Sequence, residues 1–194
     1  MYSLLYNKFV LPPSFGPSSF IISKVWASWA PSKVIVFSWQ ALLGHLPTRS
    51  NLARRGVIIA EEELACVCCN GFVESEDHLF ASYPLASWIW YKIHQWFGLS
   101  FVVPASISSI FESFLVPCRK GKVGLKGVLL VWHAVIWVLW RARNDRIFDG
   151  IEIHQEEIFD KVQFVSWKWL LAKKMTTPCL LYEWYVNPLD CMSR

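Results

Sequence analysis

Cys66 and Cys69 stand two residues apart in the stretch CVCCNGFVESEDHLF, and His78 follows after eight more. Two thiolates from one tight turn and an imidazole nitrogen make three of the four donors that a tetrahedral zinc takes. Cys68 lies inside the pair, but as the immediate neighbour of Cys69 its side chain is expected to point away from a metal held there. Three protein donors plus a water is also the arrangement of a catalytic zinc, and the carboxylate of Glu76 is near in sequence. Hydrolysis is therefore one chemistry to weigh. The knuckle carries no accompanying pocket signature, and the structural reading is preferred to it. His45, His94, His133 and His154 have no ligand spacing to Cys118, Cys179 or Cys191, so ordinary surface or core roles are expected for them.

The rest of the composition bounds what surrounds this group. Hydrophobic residues make up 54% and charged residues 18% of 194, so there is ample apolar surface to offset the entropy of ordering the chain. Twelve tryptophans imply either a bulky aromatic core or a large adhesive face. The longest apolar run, VLLVWHAVIWVLW (residues 128–140), is 13 residues against the roughly 20 of a membrane span, so a buried helix is the expectation. The prolines and lysine near the start do not make a secretory leader. A reducing, intracellular setting follows, in which free or metal-bound thiols outrank disulfides. Net charge is +4, but it comes in blocks: six basic and no acidic residues over 1–60, seven acids against Lys92 over 61–112, and seven basic residues against two acids over 113–149. Such alternation favours attraction between parts of the chain as much as an external polyanion.

Periodicity predicts helices and no strand-rich region. SKVWASWA reads as a short helical turn and Pro31 suits a first helical position; SKVIVFSWQALL has apolar residues at both helix and strand spacing, and a helix stopped by Gly44 and Pro47 is the reading chosen. Thr48 caps a second short helix that ends at Gly56, and Ser75 caps a helix carrying His78, Leu79 and Phe80 that Pro84 interrupts. Pro84 starts another helix, with Leu85, Trp88, Ile89, Ile93 and Trp96 on one face and Gly98 as its stop. A shorter segment spans Ser106–Leu115, RKGKVGLK (119–126) is a basic loop, and long helices follow over about 128–147 and 155–172. The tail is apolar and broken by Pro178 and Pro188. The fold class is all-α: an irregular helical domain with a Cys-Cys-His knuckle insert and a long Trp-rich C-terminal helix pair.

Several motifs recur together. They are Trp26, Pro31 with Lys33, Trp39, LPTR (46–49), LARRG (52–56), Cys66 with Cys69, ESEDHLF (74–80), YP (83–84) and Trp90 or Trp88. Beyond these, VIWVLWRARNDRIFDG carries a Trp-x-x-Trp, an Arg-Asn pair and a Phe. In this combination the chain resembles the zinc-binding domain that follows the reverse transcriptase in plant LINE-type (non-LTR) retroelements. With the pattern of helices and breaks, this divides the chain into an irregular N-terminal segment (1–22), the zinc-binding domain that the resemblance implies (23–98), a C-terminal helical region (99–176) and a tail (177–194). The resemblance implies Cys66, Cys69 and His78 as zinc ligands, with a cysteine expected where this chain has Tyr83. A neutral phenol, with an ordinary pKa near 10, is a poor ligand. Glu74, Asp77 or a water are the alternatives for the fourth place, and weakened or absent zinc binding is the expected result.

The resemblance also implies an accessory role beside a reverse transcriptase, holding RNA or DNA during target-primed copying, and a nuclear location if the chain follows its parent element. Arg54, Arg55, Arg141, Arg143 and Arg146 are the candidate phosphate contacts. A solvated face, or pairing with the acidic block, competes with that role for each. Trp132, Trp137 and Trp140 could stack bases but have core spacing. No Tyr-x-Asp-Asp step, two-metal carboxylate set or phosphate-cradling glycine loop is present, so the expectation is a non-enzyme with neither a membrane nor a small molecule as partner. The rival reading is a metal-free helical scaffold or protein-interaction remnant without nucleic-acid affinity.

Overall fold

The structure, a computed structural model, describes residues 22–194 except 59, 101, 116–121, 153 and 174–176. The expected irregular lead (1–22), Cys118 and the start of the basic loop therefore lie almost wholly outside the described residues. The protein is all-α. Among the described residues the only strand-like feature is an isolated antiparallel bridge between Ala65 and Val73.

A 3-10 turn at Lys24–Trp26 leads into α1 (Ser32–Leu42). Pro31 stands one residue before α1 rather than at its first position, and its carbonyl accepts from the amides of Val34 and Ile35 at 2.8 and 3.1 Å. Helix α2 (Arg49–Arg54) is capped as expected, the Thr48 hydroxyl accepting from the Asn51 amide. After the cysteine knuckle come a π-helical turn (His78–Ser82), α3 (Pro84–Trp96) and α4 (Ile107–Leu115). Proline opens α3, and Gly98, at φ +68°, supplies the left-handed residue that ends it.

The long helix α5 runs from Lys122 to Phe148. It begins six residues before the expected start, because part of the basic stretch winds into its first turn. By length and composition its segment from Gly124 to Phe148 would suffice to cross a membrane, contrary to the 13-residue reading. Yet 78% of its most apolar window is buried inside the protein. That apolar surface is spent on α1, α4, α6 (Gln155–Leu171) and α8 (Pro188–Ser193). Helix α8 comes so close to α5 that a side chain at Gly127 would collide with Met192.

One continuous buried cluster joins these elements, from Val25 to Met192. The tryptophans belong mainly to it: Trp90, Trp132 and Trp184 are fully buried, and Trp140 nearly so. Their indole N–H groups also pin distant segments. Trp184 on α7 (Leu181–Val186) donates to the Gln163 carbonyl of α6, Trp167 of α6 donates to Cys179, and Trp96 of α3 donates to Tyr185. An indole suits this work because it buries a large apolar body and still carries one donor. The tail is closed by a disulfide between Cys179 and Cys191, whose Cα atoms are 5.6 Å apart. This corrects the expectation of free thiols: the two short tail helices fold back on each other and bring the two residues within bridging distance.

His133 sits at the centre of α5, fully buried, and its Nε2–H donates to the Val25 carbonyl at 3.0 Å. Burial pushes its pKa down to about 4 from an ordinary 6.5, against the pull of that hydrogen bond. The folded state therefore refuses a proton that the unfolded chain accepts, and stability attributable to this residue falls as pH drops from about 6.5 toward 4. The stability difference between the wild type and His133→Phe, measured by urea unfolding, should shrink by about 3 kcal/mol between pH 7 and pH 4.

Candidate metal centre

The knuckle is a hairpin-like turn whose backbone bonds place the sulfurs. The Cys66 amide donates to the Phe72 carbonyl at 2.7 Å, and the Glu74 amide donates to Leu64 at 2.9 Å. Asn70 closes the turn, its amide bonding to the Cys66 carbonyl at 2.7 Å with φ at +53°, left-handed backbone that asparagine tolerates better than most residues. The Cys68 amide donates to the Cys66 sulfur at 3.4 Å. Cys66 is fully buried, while Cys68 and Cys69 are half-buried.

His78 reaches the same point from the other side. The Ser75 hydroxyl accepts from the His78 amide at 3.1 Å, starting a turn that is π-helical instead of α-helical, with the Tyr83 amide donating to the His78 carbonyl at 2.7 Å. In such a turn residues five apart fall on one side. The four-residue gap between His78 and Tyr83 thus brings their rings together, with centroids 5.9 Å apart. Trp90 packs behind the turn, its buried indole donating to the Phe80 carbonyl of the π turn at 2.7 Å. Trp88 packs instead against Phe159.

One ligand atom from each of Cys66, Cys69 and His78 lies within 4.8 Å of the others, and the Cys69 sulfur is 3.4 Å from His78 Nε2. In a tetrahedron with Zn–S near 2.3 Å, ligand atoms stand about 3.7 Å apart. The three donors therefore form a group that could hold a zinc ion. Tyr83 stands beside His78 as a poor candidate for the fourth place. Without a metal, burial, followed by the neighbouring thiols of Cys68, Cys66 and Cys69, pushes its phenol up to about 12. The Cys66 thiol moves the other way, down to about 5. The chief cause is a hydrogen bond from the Cys68 thiol; backbone amides of Cys68 and Cys69 and the His78 ring add to it, and burial opposes it. The Cys68 thiol is raised by the same bond. Cys68 stands outside the three-donor group, in keeping with the expectation that its side chain points away from a metal held there.

The acids between the cysteines and His78 are all committed elsewhere. Glu74, fully buried, accepts from the Arg49 amide (3.1 Å) at the start of α2 and from Arg143 of α5, through Nη2 at 2.5 Å and Nε at 3.3 Å. Glu76 accepts from the Leu46 amide and the Asn51 side chain, and its burial raises its pKa. Asp77 accepts from the Ile107 amide, capping α4. Glu74 and Asp77 are thus held away from the three donors by other partners, and Glu76 is engaged by Leu46 and Asn51. The LPTR motif has its reason here: Leu46 binds Glu76, Thr48 caps α2, and the Arg49 side chain holds the Ala65 carbonyl, next to Cys66, at 2.6 Å.

Arg143 leaves the set of candidate phosphate contacts, because it is buried against Glu74, stacked on Trp140 at 4.9 Å and bonded to the Asn144 side chain. Sequence reasoning missed this pair as a determinant of the site, although the charge blocks pointed to it. Arg54 and Arg55 are exposed at the end of α2 and donate to the Gly44 and His45 carbonyls. Arg141 is exposed beside Asp145 on a cavity of about 320 Å³, and Arg146 is half-buried near Tyr83. The other buried histidines bond to backbone, His94 to Trp90 and His133 to Val25.

Fold and site together define a helical domain that presents a Cys-Cys-His knuckle. Residues 5–90 match the family model described as zinc-binding in reverse transcriptase, which supports a retroelement reverse-transcriptase zinc-binding domain over that segment. No curated protein and no solved structure matches the chain.

Removing one member of the buried pair leaves the other charged and unpartnered, so Arg143→Met should lower unfolding stability by about 3–5 kcal/mol by denaturant titration. Asn70→Val should cost about 1–2 kcal/mol through its left-handed backbone, whereas Asn70→Gly should be close to neutral in the same assay.

Proposed function

We propose that this chain is a non-catalytic zinc-binding module of a plant LINE-type retroelement, assisting a reverse transcriptase by holding nucleic acid. The observation that carries the reading is the convergence of Cys66, Cys69 and His78 on one point, in a segment that matches a reverse-transcriptase zinc-binding family. Zinc bound there would lock the knuckle to the π turn; its role would be structural, since the surrounding carboxylates are engaged in holding the fold. Arg54 and Arg55, exposed together at the end of α2, are the contacts proposed for phosphate.

A second reading is favoured by a specific observation. The knuckle is fixed by its own backbone bonds, by Arg49 and by the Glu74–Arg143 pair, none of which needs a metal. A metal-free helical scaffold is the corresponding function.

Metal analysis and binding to a generic single-stranded RNA separate the two. The module reading expects close to one zinc per chain, lost in Cys66→Ser. It also expects RNA affinity that falls with salt, with a log–log slope flattened by about 0.7 for each phosphate contact removed in Arg54→Gln and Arg55→Gln. Zinc-free protein with full helical circular dichroism and no RNA affinity would establish the scaffold instead.

A further inference from the structure

We propose that Cys179, Glu183 and Cys191 form a second zinc site, occupied when the bridge between the two cysteines is reduced. It uses none of the knuckle's donors and does not depend on the zinc reading given for them. Both sulfurs and one carboxylate oxygen of Glu183 lie within 4.8 Å of one another. Cys179 stands two residues before α7, Glu183 lies in the first turn of α7, and Cys191 lies on α8.

The backbone that carries these residues has holds other than the S–S bond. Trp167 of α6 donates to the Cys179 carbonyl at 2.9 Å, the Cys191 amide bonds to the Asn187 carbonyl at 3.3 Å, and Met192 fills the space over Gly127. With the two Cα atoms 5.6 Å apart, side-chain rotation suffices to open the sulfurs to the separation of about 3.7 Å that two zinc-bound thiolates take.

Glu183 is oriented as a ligand would be. Its Oε2 accepts from the Leu180 amide at 2.8 Å and from Arg194 Nη1 at 2.9 Å, and its Oε1 accepts from Arg194 Nη2 at 2.9 Å. A carboxylate oxygen accepts more than one bond, so these partners can stay while one oxygen takes a metal. Partners of that kind are what orient ligating carboxylates. Charge agrees as well. Two thiolates and a carboxylate carry three negative charges, which a divalent zinc and the Arg194 guanidinium offset together. The sulfurs are buried and Glu183 is half-buried, so metal enters from the Glu183 side, where a water completes the tetrahedron.

The chemistry is an exchange in two steps. Two thiol groups of an external thiol reductant give two electrons to the Cys179–Cys191 bond, leaving two protein thiols and one external disulfide. Zinc then replaces the two thiol protons, which pass to solvent. The tail helices are tied to each other in either state, through S–S or through S–Zn–S.

Full-length protein held reduced by a phosphine would be loaded with zinc, freed of excess metal and assayed for zinc per chain, with circular dichroism as the check on folding. The proposal expects the wild type to hold one zinc more than Cys179→Ser/Cys191→Ser, and Cys66→Ser/Cys69→Ser to retain one. Against a competing chelator, Glu183→Gln should weaken this zinc by more than the roughly tenfold to hundredfold that loss of an outer partner costs. Equal zinc in the wild type and the tail serine variant would overturn the proposal, the metal then being adventitious or confined to the knuckle. Should the tail serine variant not fold, a Glu183→Gln affinity equal to that of the wild type would overturn it instead. A single zinc that is lost in the tail variant and kept in the knuckle variant would support this site while removing the zinc reading of Cys66, Cys69 and His78.

Discussion

A single buried carboxylate organises this protein. Glu74 has no exposure to solvent, and it accepts hydrogen bonds from the first amide of α2 and from the Arg143 guanidinium of the long central helix. Its own amide and carbonyl meanwhile bond to Leu64 and to Ser50. Desolvating two opposite charges offsets most of what their attraction contributes, so the pair adds little net stability. What it fixes is arrangement. An unpaired charge in that interior is prohibitive, so knuckle, short helix and long helix must meet in one register. Trp140 and Asn144 hold the guanidinium from its other sides.

The same carboxylate joins motifs that the sequence keeps apart. LPTR, ESEDHLF and the Arg-Asn pair are far apart along the chain, and nothing in the spacing of any one of them calls for the others. In three dimensions they form one hydrogen-bonded unit, with Leu46 on Glu76, Arg49 on Glu74 and Ala65, and Arg143 across the interface. The segment matching the zinc-binding family stops at residue 90. The physical unit that holds the knuckle extends to Asn144.

Much of this was legible in the sequence. Helix stops at Gly56 and Gly98, caps at Thr48 and Ser75 and the proline start of α3 follow from local chemistry, and local chemistry is what a sequence displays. The convergence of two cysteines and a histidine was legible for the same reason, since a turn and one capped helical start carry all three. What could not be read depends on contacts between distant residues. A buried arginine looks like an exposed one when the residues around it are a mixture of apolar and basic side chains. The disulfide between Cys179 and Cys191 needs the antiparallel return of two short helices, which no spacing announces. The π turn, too, is invisible to periodicity, although the gap of four between His78 and Tyr83 is its trace.

That turn separates scaffold from reactivity. The backbone at position 83 is set by its amide bond to the His78 carbonyl and by the proline that follows, and Trp90 occupies the carbonyl of Phe80. None of these involves the side chain of residue 83. Whatever that residue is, the chain delivers it to the same corner. A change of side chain at this position would therefore alter the chemistry next to His78 while leaving in place the backbone bonds that set the turn.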